Sequence, residues 1–304
     1  LRNCPKVSPI FKKDDKAQLN NYRPISLLPA ISKVFEKVIA KHIHEHFKSQ
    51  NLYYDYQYGF RQNHSTEYAT LELVDRLISD MDAGKIPLNV YIDLSKAFDC
   101  VDHKNLLAKL EHYGLRNTSL SLLKSYLSNR QQYVEIDSFK SDYQALNIGV
   151  PQGSVLGPLL FIIYINDIPK SSNLFHFVTY ADDTTLFVSL NSDNGPSEQI
   201  LNSELESVCK WLNLNRLSLN VSKTKCMIFN KSNRNHSRPN LKIYECPIEF
   251  VDRFSFLGII LDNKLNWRHH TDSIAKKITK AVCILSRLKY YLPESCLKTI
   301  HVYI

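Results

Sequence analysis

In the sequence FHFVTYADDTTLFVSL at positions 175–190, two β-favouring runs flank a short polar centre. Residues 175–180 and 184–190 are rich in β-branched and aromatic side chains, which is typical of strands. Asp182 and Asp183 lie between the two runs, and aspartate is common in turns. The stretch therefore predicts a β-hairpin with two adjacent carboxylates at its tip.

The segments around this hairpin predict an α+β fold. Alternating or β-favouring patterns predict further strands at residues 88–94, 131–137, 143–150 and 219–229, with the second and third forming a hairpin. Helical patterns cover residues 154–165 and 198–214, and the second has Leu201, Leu205, Val208 and Leu212 on one face. A strand, a helical crossover, a hairpin, a helix and a last strand follow the order of a ferredoxin-like sheet. Because many functions use that sheet, it does not identify an activity.

Asp93 is a third carboxylate of interest because it ends the apolar strand pattern of residues 89–92. If this strand neighbours the hairpin, Asp93 and Asp182 converge on one edge of the sheet. Carboxylates at such short range repel one another unless a cation lies between them. Two Mg²⁺ ions there would activate a 3′-hydroxyl and stabilise a leaving pyrophosphate. An ordinary turn is the alternative interpretation of the Asp182-Asp183 pair.

The size and charge of the chain indicate a globular protein with basic ends. It has 304 residues, of which 44% are hydrophobic, so one large domain or two lobes is expected. Residues 1–48 hold ten Lys/Arg against four Asp/Glu, and residues 264–304 hold eight against two. Residues 49–263 hold twenty basic and twenty-four acidic residues. Basic ends around an acidic centre suit a nucleic-acid polymerase, although a lysine-rich surface would give the same distribution.

Several protein classes are excluded by simple patterns. The longest strongly apolar run, residues 158–165, is far shorter than the roughly 20 residues that span a bilayer. No charged-then-apolar signal opens the chain, so a soluble intracellular protein without a membrane partner is expected. Seven scattered cysteines without a C-x-x-C pair indicate neither a disulfide framework nor a zinc knuckle. The chain does not begin with methionine and ends after a basic helical pattern, so we expect a fragment of a longer polyprotein.

Five sequence blocks in a fixed order resemble the motifs of reverse transcriptases. They are NYRPISLL (21–28), QYGFRQNHST (57–66), YIDLSKAFD (91–99), GVPQGSVLGP (149–158) and YADD (180–183). The first two look like the N-terminal blocks of non-LTR retrotransposons, and their residues are most similar to those of jockey-like and CR1-like elements. The chain thus resembles the reverse transcriptase of a non-LTR, LINE-type retrotransposon.

This resemblance implies an RNA-directed DNA polymerase with a right-hand fold. Its palm would be a ferredoxin-like antiparallel sheet backed by helices, with helical fingers and the start of a helical thumb. The fingers would cover residues 1–87, the palm 88–262 with a fingers insertion at about 104–145, and a truncated thumb 263–304.

The enzyme would use two Mg²⁺ ions, for which Mn²⁺ could substitute. Its partners would be an RNA template, a DNA primer, dNTPs and the element RNA in a ribonucleoprotein of nucleus and cytoplasm. The endonuclease domain would lie elsewhere in the full-length protein.

The resemblance also assigns roles within the active site. Asp93 and Asp182 would be the metal ligands, with Asp183 as the third carboxylate. Lys223 would protonate the departing pyrophosphate, although Lys225 is an open alternative.

Further residues would bind the nucleotide and the primer–template. Phe98 would lie under the sugar and exclude a 2′-hydroxyl, whereas a core phenylalanine is its other interpretation. Gln152 would touch the incoming nucleotide, Gly153 would allow close backbone approach, and Arg61 would contact template or triphosphate. The residues assigned to primer and template are Phe256, Leu257 and Gly258 in a predicted hairpin and Lys276 and Lys280 on a predicted thumb helix. A surface arginine, an edge strand and a solvated helix face are the corresponding alternatives.

Three other functions share parts of this pattern. A viral RNA-dependent RNA polymerase has the same palm, but usually places glycine before the paired aspartates and an acidic residue where Phe98 stands. The residue before the pair here is Ala181. A group II intron or retron enzyme differs mainly in the N-terminal blocks. A non-catalytic nucleic-acid-binding relic of the same family is the third alternative.

Overall fold

The computed structural model of the chain describes residues 6–12, 15–137, 139–190, 195–230 and 238–303. Helices and strands alternate in an α+β arrangement. The α-helices are α1 (Ala30–Ser49), α2 (Thr66–Asp82), α3 (His103–His112), α4 (Asn117–Leu127), α5 (Leu156–Tyr164), α6 (Glu198–Leu214), α7 (Arg268–Leu288) and α8 (Glu294–Tyr303). The strands are β1 (Lys6–Phe11), β2 (Tyr22–Leu27), β3 (Ile86–Ile92), β4 (Leu94–Ser95), β5 (Arg130–Ile136), β6 (Phe139–Lys140), β7 (Gln144–Leu146), β8 (His176–Tyr180), β9 (Asp183–Leu190), β10 (Ser218–Leu219), β11 (Lys225–Ile228), β12 (Lys242–Ile243), β13 (Cys246–Pro247), β14 (Glu249–Phe250), β15 (Arg253–Phe256) and β16 (Ile259–Asp262).

The central sheet has the strand order β14-β11-β3-β9-β8. Strand β3 is antiparallel to both of its neighbours, and β8 is antiparallel to β9. Taken in chain order, β3, β8, β9 and β11 therefore stand in the ferredoxin-like arrangement that the sequence predicted. Strand β14 extends this sheet by pairing in parallel with β11.

Both faces of the central sheet are covered, which explains why its strands are almost continuously apolar. Successive residues of a strand point to opposite faces. Accordingly, Val90 packs in the larger core with α5 and α6, whereas Tyr91 packs in a second core with α2. Helix α5 is apolar all round because its side chains are surrounded by protein. The sheet edge that carries Asp93 is thus built on a rigid two-sided core.

A second sheet joins the N-terminal segment to the insertion between β3 and α5. Its strand order is β2-β1-β5-β6, and β7 also pairs with β5. Strand β1 runs parallel to β5, with Lys6 opposite Tyr133. The hairpin predicted at residues 131–137 and 143–150 is confirmed in shorter form, with Arg130 opposite Leu146.

Three predicted elements have different bounds in the structure. The strand predicted at 219–229 is wrong as one strand, because a turn separates β10 from β11. In that turn the Asn220 carbonyl accepts the backbone N–H of Thr224 at 2.9 Å. The strand predicted at 88–94 ends at Ile92, and its last part forms β4 instead. The predicted helix at 154–165 begins two residues later, at Leu156, and the Gly157 N–H in its first turn donates to Ser154 Oγ at 2.8 Å.

Two of the exclusions can be compared with the structure. Within the described residues, no helix has the length and apolar character needed to cross a bilayer. The cysteines that the structure describes are all free. Cys4 lies outside the described residues.

Candidate active site

Three carboxylates meet at one edge of the central sheet. Ile92 of β3 lies opposite Thr184 of β9, so the next step of the ladder brings Asp93 beside Asp183. Asp182 occupies the tight turn between β8 and β9, in which Tyr180 pairs with Asp183. The convergence of Asp93 and Asp182 that the sequence predicted therefore arises through β9, the strand that lies between β3 and β8.

The pKa values of these carboxyl groups reflect their crowding. Burial raises the pKa of Asp182, and the neighbouring negative charge of Asp93 raises it further. Desolvation by the surrounding protein, followed by the charges of Asp182 and Asp93, raises the pKa of Asp183 to about 6, although part of its side chain reaches solvent. Carboxylates that repel one another in this way favour the binding of a cation.

The three carboxylates are the candidate ligands for a cation at this edge of the sheet. Among the described residues, no three Asp, Glu, His or Cys side chains close around one point tightly enough to hold a metal ion by themselves. Mg²⁺ commonly takes only one or two protein carboxylates and completes its shell with water and substrate phosphates. The carboxylate oxygens of the acidic edge are a donor set that fits a divalent cation.

Asp93 is anchored to the turn between β10 and β11. The Asp93 carbonyl accepts the Asn220 N–H at 2.8 Å, and the Asp93 N–H donates to Thr224 Oγ1 at 3.4 Å. Thr224 is fully buried and helps to fix the backbone of Asp93. This role of Thr224 was not predicted from the sequence. Its only sequence signal was a threonine beside two lysines.

The same turn distinguishes the two candidate lysines. Lys225 Nζ forms an ion pair with Glu249 at 2.6 Å and also donates to the Ser222 carbonyl. Lys223 is exposed, and no partner for its ammonium group is found in the part of the chain that the structure describes. Of the two, Lys223 is therefore the cation that is free to meet a ligand at this edge. Its role as a general acid stays a prediction.

Phe98 lies half-buried in a short 3-10 helix that follows Asp93. Its ring stacks on Phe161 with centroids 4.5 Å apart and meets the exposed ring of Phe60 edge-on at 6.3 Å. One side of the ring thus packs on the core, and the other lies towards the surface. This placement is compatible with both interpretations of Phe98, as sugar contact and as core residue.

Gln152 is tied to the segment that carries Phe98. Its amide Nε2 donates to Asp99 Oδ1 at 2.9 Å. Burial raises the pKa of the Asp99 carboxyl, and the hydrogen bond from Gln152 partly counteracts that rise. Asp99 lies in one of the sequence motifs, but no role was predicted for it, because nothing local links it to a residue 53 positions away.

Glycines permit the close approach of backbones around Gln152. Gly153 has φ +101°, and a Cβ there would lie 3.0 Å from the Ser26 carbonyl oxygen. Gly149 has φ +83°, and a Cβ there would lie 2.8 Å from the Asp99 carbonyl oxygen. Other side chains strain in this left-handed region. Asp99 and Gln152 both line a cavity of about 350 Å³.

Arg61 serves its own segment in this structure. Its Nη1 donates to the carbonyl oxygens of Tyr54 at 2.9 Å and Gln57 at 3.0 Å, and the guanidinium lies 4.8 Å from the Tyr53 ring centre. Burial lowers its pKa. The predicted contact with template or triphosphate would have to use the remaining N–H groups of the side chain.

The predicted primer and template residues lie in two different environments. Strands β15 and β16 form a hairpin with Leu257 and Gly258 in the turn. Phe256 is buried with only 4% exposed and packs near Tyr91, so its side chain is not available to a primer here. Lys276 and Lys280 are exposed on α7, one helical turn apart. The predicted helix is confirmed, whereas its contact with nucleic acid stays a prediction.

Comparison with curated proteins identifies relatives along most of the chain. A probable RNA-directed DNA polymerase from transposon X-element of Drosophila melanogaster is 31% identical over 266 residues, which cover 86% of this chain and 29% of the relative. The RNA-directed DNA polymerase from mobile element jockey of the same organism is 28% identical over 277 residues, covering 89% and 30%. The chain thus spans less than a third of the length of these relatives.

Solved structures with a similar fold include two telomerases. The apo telomerase of Candida tropicalis has a TM-score of 0.57 at 11% identity and covers 85% of this chain and 47% of its own. The telomerase of Candida albicans with a TWJ fragment of telomeric RNA has a TM-score of 0.54 at 14% identity, covering 87% and 46%. At such low identity the likeness concerns the fold alone. It confirms the predicted right-hand polymerase architecture.

Family comparison agrees with the motif order. The family described as reverse transcriptase (RNA-dependent DNA polymerase) matches residues 10–261, which include all five sequence blocks. The resemblance to reverse transcriptases of non-LTR retrotransposons is thereby confirmed. The chain belongs to the reverse transcriptase (RNA-dependent DNA polymerase) family.

Proposed function

We propose that this chain is the catalytic core of a non-LTR retrotransposon RNA-directed DNA polymerase that copies element RNA into cDNA. The observation that carries the proposal is the meeting of Asp93, Asp182 and Asp183 at one sheet edge in a chain of the reverse transcriptase family. The substrates would be an RNA template, a DNA primer and dNTPs. The names of the transposon relatives support this choice.

Asp93 and Asp182 would hold two Mg²⁺ ions, with Asp183 as the third carboxylate and with Mn²⁺ as a possible substitute. When bound, the ions would activate the primer 3′-hydroxyl and stabilise the leaving pyrophosphate in an in-line displacement. The raised pKa values of Asp182 and Asp183 support this assignment, because the crowded negative charge is relieved by a cation.

Other side chains would act directly on the nucleotide. Gln152 and Gly153 would position it over the cavity that Asp99 lines, and Phe98 would exclude a ribose 2′-hydroxyl by its bulk. Lys223 would donate a proton to the departing pyrophosphate oxygen, which is a general-acid role. Among the described residues Lys223 has no ion pair, in contrast to Lys225, which supports this choice.

The fingers, palm and thumb would have the bounds that were predicted from the sequence. Residues 1–87 and the insertion at about 104–145 would form the fingers, and the shared sheet of β1 and β5 supports their association. Residues 88–262 would form the palm. Residues 263–304 would begin the thumb, where the exposed Lys276 and Lys280 of α7 would grip the template–primer backbone while Leu257 and Gly258 contact the primer.

The full-length protein would act in a ribonucleoprotein with the element RNA, in nucleus and cytoplasm. A target-nicking endonuclease would lie elsewhere in that protein, because the chain spans less than a third of its transposon relatives.

Primer extension tests the proposed function. The purified protein is mixed with a labelled DNA primer on an RNA template, Mg²⁺ and dNTPs, and we expect template-dependent extension that EDTA stops. A parallel reaction with only rNTPs should yield little product. A protein that binds the template–primer but extends it with neither Mg²⁺ nor Mn²⁺ would contradict the proposal and favour a non-catalytic relic.

A further inference from the structure

Residues 56–58 lie along the open edge of the central sheet, next to β8. The Thr179 N–H donates to the Tyr56 carbonyl at 3.0 Å, and the Tyr58 N–H donates to the Thr179 carbonyl at 2.8 Å. Gln57 therefore forms a parallel bridge with Thr179. This pairing brings the Gln57 side chain to the end of β8, where the turn with the two aspartates begins.

The Gln57 side chain holds the backbone of that turn. It is only 2% exposed, and its Oε1 accepts the Ala181 N–H at 3.1 Å and the Gly59 N–H at 2.8 Å. Both acceptor positions of one carbonyl oxygen are thus occupied. Ala181 is itself buried, so an unpaired N–H there would be costly.

The turn needs such support because its backbone is strained. Ala181 has φ +55°, a left-handed conformation that L-residues with a Cβ adopt at a cost of about 1–2 kcal/mol. The segment also packs unusually close to it, since a Cβ at Gly59 would lie 2.3 Å from the Ala181 nitrogen. Asp182 follows Ala181 directly, so any change in the Ala181 backbone would move the Asp182 carboxylate.

We propose that Gln57 is a positioning residue, whose side-chain oxygen fixes the Ala181 amide and so holds Asp182 and Asp183 towards Asp93. This inference rests on the proposed function and adds to it a residue that does not touch a substrate. A displacement of about 1 Å in a catalytic group can cost on the order of a hundred-fold in rate. Gln57 would therefore act on the rate of the chemical step rather than on substrate binding.

Gln57→Met tests the proposal, because methionine has a similar volume but no strong acceptor. We expect kcat for single-nucleotide extension to fall about ten- to a hundred-fold. The KM for dNTP and the Kd for template–primer should stay within about twofold. In the free protein, hydrogen exchange of the Ala181 amide should be at least about tenfold faster than in wild type.

Two variants separate positioning from a general effect on stability. Tyr54→Phe removes the 2.9 Å hydrogen bond from the Tyr54 hydroxyl to the Phe177 carbonyl, which joins the same two segments far from the turn. It should leave kcat and Ala181 exchange unchanged. Gln57→Glu retains an acceptor oxygen at the same reach and should keep the Ala181 amide protected.

Wild-type kcat and slow Ala181 exchange in Gln57→Met would overturn the proposal. An equal loss of kcat in Tyr54→Phe would also overturn it, because a merely structural contact would then suffice. If Gln57→Met does not fold, Gln57→Asn withdraws the oxygen by one methylene and is judged by the same measurements. An inactive wild type would refute the polymerase activity, whereas the exchange comparison would still decide whether Gln57 holds the turn.

Discussion

The Gln152 amide nitrogen donates a 2.9 Å hydrogen bond to Oδ1 of Asp99, and both side chains line the same cavity. Gln152 follows Gly149 in a glycine-rich loop, whereas Asp99 lies next to Phe98 in the 3-10 helix Ala97–Cys100. The bond therefore couples two separate motifs at the place where a nucleotide would bind. It fixes the direction of a side chain that would otherwise have several rotamers.

Asp99→Ala should raise the KM for dNTP about tenfold, because Gln152 loses the acceptor that orients it. Asp99→Asn is the matched control, since its carbonyl oxygen can still accept the hydrogen bond. We expect the KM of the Asn variant to stay within about threefold of wild type in single-nucleotide extension. Equal effects of the two substitutions would show that the charge of Asp99, and not its acceptor, is required.

Lys223→Ala should lower kcat about a hundred-fold or more, which is the usual contribution of a general acid. Lys223→Arg should be almost as slow, because a guanidinium keeps its positive charge but does not release its proton at working pH. Lys225→Ala, on the same turn, should stay near wild type because Lys225 is engaged with Glu249. Full activity of the Arg variant would mean that only a positive charge is needed.

Phe98→Val should raise the use of ribonucleotides selectively. If the ring excludes the 2′-hydroxyl by overpacking, a cost on the order of 1–3 kcal/mol gives roughly ten- to a hundred-fold discrimination. Because Phe98 also stacks on Phe161, some loss of stability is expected in addition. Single-nucleotide extension with each sugar separates the two effects, since an unchanged dNTP-to-rNTP ratio would refute the sugar contact.

The free energy of unfolding should decrease as the pH is lowered, because His176 has a lowered pKa in the folded protein. Burial and then the charge of Arg76 lower its pKa to about 4, although Glu72 lies 3.6 Å away and partly opposes this. The ring packs edge-on against Tyr56 at 4.3 Å. The unfolded chain, with a histidine pKa of about 6.5, takes up the proton first as the pH falls. This contribution is thus complete above pH 6.5 and is lost towards pH 4.

Comparison of wild type with His176→Gln isolates this group from other titrations. Between pH 7.5 and pH 5, urea unfolding should show that wild type loses about 2 kcal/mol more stability than the variant. Parallel losses in the two proteins would contradict the assigned pKa.

The parts of the fold that follow local periodicity were predicted well from sequence. Helix α6 spans residues 198–214 as expected, because its apolar residues recur at helical spacing. The hairpin of β8 and β9 was found because a polar pair interrupts two apolar runs. The break between β10 and β11 was missed, since serine, threonine and lysine occur in edge strands as well as in turns.

Contacts between segments that are far apart in the chain could not be predicted from the sequence. Gln57 and Ala181 are 124 positions apart, and no local pattern indicates that one oxygen would pair with that amide. Phe256 was predicted to contact a primer. Its burial in the second core depends on how β15 packs against the central sheet, which no local pattern indicates. The motifs thus indicated which segments matter, whereas the contacts between those segments could be found only from the fold.

Asp182→Asn tests whether the acidic sheet edge catalyses nucleotide addition. The amide keeps the size of the side chain but is a much weaker ligand for a divalent cation. We predict that primer extension on RNA with Mg²⁺ falls below about a hundredth of wild type, while the Kd for template–primer changes less than about threefold. Asp252→Asn, which neutralises an exposed carboxylate elsewhere, should extend the primer like wild type. Retention of more than about a hundredth of wild-type extension by Asp182→Asn would mean that the acidic edge is not the catalytic site.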